Sequence, residues 1–138
     1  MPAVDDFFNS AQGHHSRLQE LVSRLDAIHK AAPVGDITTT EQARYALSIL
    51  QSQEQYLAQL KREADYEMQM TRTASEAATL EVNSSKLGRR GKKELKDRIQ
   101  VHRSQLLTQT QGYKNLVDQW LIQVADWKRQ LAQFIRDE

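Results

Sequence analysis

Apolar residues at Leu18, Leu21, Leu25, Ile28 and Ala32 alternate steps of three and four, the spacing that holds one stripe of a helix against a partner. The stripe predicts a first helix over about residues 6–32. Its opening is ambiguous: Asp5 or Asp6 could begin it, and beyond Gly13 so could a capping box, Ser16-x-x-Gln19. Pro33 and Gly35 end it.

Thr38 followed three residues later by Glu41 predicts the start of a second helix, about 39–82, because hydroxyl and carboxylate can satisfy each other's orphan amides. Ala43, Ala46, Leu50, Leu57, Leu60 and Ala64 follow a heptad spacing. Beyond Ala64 the stripe thins to Met68, Thr71, Ser75, Ala78 and Val82, small and polar residues that bury little apolar area.

A third helix, about 92–136, carries Leu95, Ile99, His102, Leu106, Thr110, Tyr113, Val117, Trp120, Val124, Trp127, Leu131 and Phe134. The two steps of four from His102 through Leu106 to Thr110 form a stutter, which rotates a seam. Gly112 lies just past it and leaves the continuity of this helix open.

The first segment is too short to cover the other two. Pairing the second and third antiparallel by equal rise brings together residues whose numbers total ~175 and sets Phe7 and Phe8 near the level of residues 65 and 110. The expected fold is therefore all-α: one domain, 1–138, an antiparallel three-helix bundle whose two longer helices extend as a coiled-coil hairpin, with a bare arm over about 66–109. Trp120, Trp127, Tyr113 and Phe134 are then core residues of the bundle, opposite Leu18, Leu25, Leu50, Leu57 and Leu60.

Composition agrees with long helices: 39% hydrophobic and 27% charged residues, with a mean hydropathy of −0.69, suit elongated rods better than a wide core. The lack of cysteine excludes disulfides and thiolate metal sites and favours a reducing, cytoplasmic setting. No apolar h-region and no run of about 18 apolar residues occurs, so the chain is read as soluble and unprocessed. Charge changes the picture more. From Asn83 to Arg103 eight basic residues face only Glu94 and Asp97, a local +6 that leaves −5 for the rest of a +1 chain.

Candidate chemistry is sparse. His14 and His15 are adjacent, about 100° apart on a helix, and cannot readily share an ion. There is no Glu-x-x-His pair of the di-iron type, and Asp26 with His29 reads as a surface pair. His102 reads as a packed seam histidine. No Gly-x-Ser-x-Gly elbow is present, and Gly88-Arg89-Arg90-Gly91-Lys92-Lys93 fails as a phosphate loop because its glycines are too close and no strand precedes it. The reading is of a protein that is not an enzyme, with no cofactor, no metal site and no small-molecule substrate.

Two surfaces remain. Lys86, Arg89, Arg90, Lys92, Lys93, Lys96 and Arg103 form a basic tip suited to an anionic partner; several of these cations sit in the first turns of a helix, where the dipole disfavours them. Pairing with Glu76, Glu81, Glu94 and Asp97, and Lys86 on the carboxyl end of the second helix, would instead make the tip a solvated surface. Along the arm, Met68, Met70, Thr71, Ala74, Ala78, Val82, Leu95, Ile99 and Leu106 are expected to leave apolar area for a second chain. The functional expectation is a helical protein-protein interaction module, an adaptor, assembly subunit or chaperone-like partner that self-associates along the arm. The alternative is a nucleic-acid-binding protein whose basic tip contacts phosphates; lacking aromatics between Asn83 and Arg103, it would read backbone, not stacked bases. Membrane attachment is disfavoured because no bulky apolar residues back the cations.

Overall fold

The computed structural model describes residues 1–33 and 35–137, and their regular structure is entirely helical: α1 (Pro2–Asn9), α2 (Ala11–Lys30), α3 (Thr40–Asn83) and α4 (Arg89–Asp137). The helices pack together in three rods, with α1 and α2 in tandem as the first. α3 and α4 run in opposite directions side by side, as the ion pairs Lys61–Asp118 and Lys114–Asp65 require. Those pairs total 179, close to the ~175 anticipated from equal helical rise. No described helix is long and apolar enough to cross a membrane.

α3 starts one residue later than its anticipated cap. Thr39, not Thr38, accepts from the Gln42 amide at 3.1 Å, and the Gln42 side chain accepts in return from the amides of Thr38 and Thr39. Both Thr-x-x-Glu/Gln frames occur here, and the side-chain oxygen of Gln42 collects three donors, the Thr38 amide and hydroxyl and the Thr39 amide. α4 begins at Arg89, where the Gly88 carbonyl accepts from Lys92, and it is unbroken through Gly112.

The first rod departs most from expectation. Pro2 opens α1 at the first helical position, where its missing amide costs nothing. At Ser10 the backbone amide bonds the Phe7 carbonyl three residues back, and the hydroxyl donates to the same oxygen at 2.6 Å, so the helix is interrupted there. The segment expected at 6–32 is thus two helices, beginning nearer the N-terminus. The rod is also displaced. Arg17 and His14, not Phe7 and Phe8, lie at the level of Glu67 and Thr110, a shift of about seven residues or ~10 Å towards the tip.

That shift covers the arm. Val4 and Phe7 are buried with Ala78, Val82, Ile99 and Leu106, while Phe8, Ala11, Ala74 and Leu95 pack around them. The expectation of a bare arm over 66–109 is therefore wrong: α1 fills the seam. Its counterpart lies at the other end, where α2 stops at Lys30 and Pro33, Gly35 and Ile37 border a hollow of about 310 Å³ with Leu50, Trp127 and Leu131.

Two hydrophobic clusters result. One joins Leu21, Ile28, Leu50, Leu57, Leu60, Ala64, Tyr113, Val117 and Val124, with Leu18, Leu25, Trp120, Trp127 and Leu131 half-buried against it. The tryptophans thus border the core without being enclosed by it. Between the clusters the buried positions turn polar: His14, Glu67, Thr71, Ser75 and Thr110. Here α3 has its own two steps of four, Glu67–Thr71–Ser75, opposite the stutter His102–Leu106–Thr110 of α4, so the two seams rotate at one level and stay in contact.

A Cβ added to Gly112 meets nothing within 4 Å. Gly112→Ala should therefore stabilise the chain by about 0.5–1 kcal/mol, seen as a higher urea midpoint with an unchanged slope; a lower midpoint would show that this turn relies on glycine.

Candidate functional site

The basic tip forms on the connector Ser84–Gly88 and the first turns of α4. Ser85 closes the turn, its hydroxyl donating to the Val82 carbonyl at 2.6 Å. Lys92, not Lys86, stabilises the carboxyl end of α3, its Nζ donating to the Asn83 carbonyl at 2.9 Å. Arg90 pairs with Glu94 four residues on, at 3.4 Å and in full solvent exposure, a contact that contributes little. Among the described residues Lys86, Arg89, Lys93, Lys96 and Arg103 make no ion pair with a carboxylate. Arg89, Lys92, Lys93 and Lys96 surround an open hollow of about 400 Å³ beside Leu87. Of the carboxylates anticipated as partners, Glu81 is taken by α1: its two oxygens accept from the Ala3 and Val4 amides at 3.1 Å each. α1 meanwhile brings Asp5 and Asp6, both exposed, to this end of the molecule.

The anticipated protein interface is not an open surface. Met68, Thr71, Ala78, Val82, Ile99 and Leu106 are buried within the chain, Ala74 and Leu95 are half-buried against the same cluster, and only Met70 is exposed, on another face of α3. Exposed apolar area lies instead between α2 and α4. Val22 and Leu116, 39% and 52% exposed, flank a groove of about 470 Å³ lined also by Leu25, Asp26, His29, Gln119, Trp120 and Gln123. His29 does not pair with Asp26, which binds Lys30 at 3.0 Å; it stacks on Trp120 with ring centres 4.5 Å apart. The Trp120 indole nitrogen is buried and donates to no acceptor among the described residues.

The polar layer was not anticipated as a unit. Glu67 is almost fully buried; Arg17 binds one of its oxygens, and the other lies 3.4 Å from His14 Nδ1. His14 Nε2 is 3.2 Å from the Thr110 hydroxyl, which is also 3.1 Å from the Leu106 carbonyl. The hydroxyl therefore donates to Leu106 when it accepts from Nε2–H and turns to Nε2 when that nitrogen is bare. His102, on the same seam, packs edge to face with Phe7, ring centres 4.9 Å apart, and its Nε2 is buried without a hydrogen-bond partner among the described residues. Position in the pattern was the available signal: Val4, Phe7, Ala11, His14, Leu18, Leu21, Leu25 and Ile28 form one uninterrupted alternation of threes and fours, with His14 on it.

Comparison with protein-family models, with curated proteins and with solved structures gave no match to this chain.

Burial drives the His14 imidazole below its ordinary value near 6.5, against the opposing pull of the Glu67 carboxylate. A lowered folded value means that the neutral ring stabilises the fold above pH 6.5 and that this contribution is lost as pH falls through the folded value. The loss of melting temperature between pH 7.5 and pH 5 should accordingly be smaller in His14→Gln than in the wild type; equal losses would remove His14 as a source of acid sensitivity.

Proposed function

We propose that the chain is a non-enzymatic helical protein-protein interaction module, an adaptor, assembly subunit or chaperone-like partner, working as one unit in a cytoplasmic setting. In this reading α3 and α4 serve as an antiparallel coiled-coil hairpin that α1 and α2 brace, and the module presents surfaces instead of performing chemistry. The observation that carries it is the groove between α2 and α4, where exposed Val22 and Leu116 flank the edge of Trp120 and a buried indole N–H has no acceptor among the described residues. Aromatic anchors with an unfilled polar valence are typical of the centres of protein interfaces. A second copy is the occupant proposed for the groove, since a two-fold contact sets the same patch against itself. Sedimentation equilibrium over rising concentration should reveal self-association, weakened at least tenfold by Leu116→Asp, about 1.4 kcal/mol. A monomer at every concentration ends the self-association form.

A second reading, a nucleic-acid-binding tip, is supported by the hollow bordered by Arg89, Lys92, Lys93 and Lys96 at the start of α4. Backbone phosphates would supply the countercharge these cations lack. Binding to duplex or single-stranded nucleic acid should then fall steeply with salt and weaken in Arg89→Gln/Lys93→Gln/Lys96→Gln. No binding at low salt excludes it.

A further inference from the structure

The seat of α1 has the composition of a recognition groove. Its floor is apolar, made by Ala78, Val82, Ile99 and Leu106. One end is built for a helix terminus, because the Glu81 carboxylate takes the amides of Ala3 and Val4. On the α4 side Arg98 lies over the Phe8 ring at 5.1 Å, beside an open hollow of about 380 Å³ lined by Phe8, Asp97, Arg98, Val101, His102 and Gln105. The occupant is an acidic amphipathic helix, with Val4 and Phe7 facing in and Asp5 and Asp6 facing out, at the end of the molecule where the chain carries its local excess of positive charge.

That occupant has little helix stability of its own. α1 has eight residues, fewer than the about 12–15 at which an isolated helix becomes even marginal in water. It is separated from α2 by the break at Ser10, so it can leave without disrupting the helix that follows.

We infer that the seat of α1 is an acceptor groove for an acidic amphipathic helix of another protein, and that α1 occupies it as a tethered competitor. This rests on reading the chain as an interaction module. The α1 of a second copy would offer the same side chains without the advantage of the tether, so it competes poorly. A helix with a larger apolar side chain at the level of Phe8 would also cover Val101, 58% exposed in the hollow beside Phe8 and Arg98, and so gain contacts that α1 does not make.

The test uses the full chain and a labelled peptide of its residues 1–12 as the acidic helix. Phe7→Asp should undock α1 and leave the groove vacant, so the peptide binds this variant roughly tenfold or more tightly than the wild type, in which only chains with α1 undocked are competent. Adding Glu81→Lys, which repels the amides of a helix N-terminus, should abolish that binding, and raised salt should weaken it. Equal binding to both chains, or none to a Phe7→Asp chain of wild-type helicity, overturns the inference. Should that variant lose helicity, Val4→Ser takes its place under the same criteria. Dimerisation of the wild type that Phe7→Asp abolishes would assign the groove to a second copy and overturn it too. Failure of the peptide while self-association remains sensitive to Leu116→Asp would remove the acceptor groove and leave the module reading standing.

Discussion

Glu67 is buried between two hydrophobic clusters, where an unpaired carboxylate would cost on the order of several kcal/mol. The first rod supplies what it needs: Arg17 binds one oxygen and His14 faces the other, while His14 also reaches Thr110 on α4. Sliding that rod by a turn would leave the carboxylate unpaired and bring Leu18 or Ala11 to a polar level. The network adds little net stability, since desolvation offsets most of its attraction. Its effect is on register, and register decides which end of α3 and α4 the first rod covers.

Much of the remaining architecture follows from that placement. With His14 and Arg17 opposite Glu67, α1 reaches the connector, Val4 and Phe7 close the arm, and Glu81 finds its partners in the α1 amides. The same displacement draws α2 away from the opposite end. There a connector replaces the helix, and Trp120 and Trp127 stay half-buried with their rings at right angles, 5.4 Å apart. The apolar area that a bare arm would have exposed lies instead along the groove between α2 and α4.

Three long stripes of apolar residues are enough to anticipate an all-helical chain whose helices pack together in three rods, because short connectors leave few alternatives. The stutter in α4 is visible as two steps of four; its counterpart in α3 is not, because Thr71 and Ser75 lie on the thinning stripe but Glu67, a carboxylate, does not read as a core residue. For the same reason the first stripe reads as beginning at Leu18. Its earlier members, Val4, Phe7, Ala11 and His14, include a short alanine and a histidine, and polar or small residues carry little weight in a hydrophobic pattern. The cations at the tip are evident from composition, but their division into Lys92 on a helix end, Arg90 beside Glu94, exposed Lys86, Arg89 and Lys93, and half-buried Lys96 and Arg103 is not.

Sequence by itself determined what is local and periodic: helices, their stops at Pro33 and near Gly88, the seam of each, and the concentration of charge between Asn83 and Arg103. Those properties depend on neighbours within a turn or two, which hydrophobic spacing and capping residues encode directly. Only the tertiary structure decided how far the first rod slides along the other two. A heptad stripe packs almost equally well at successive turns, so apolar contact leaves the offset nearly degenerate. The choice falls to a few directional contacts between distant residues, Glu67 with Arg17 and His14 and Glu81 with the α1 amides, whose partners are separated by 50 or more positions in the chain.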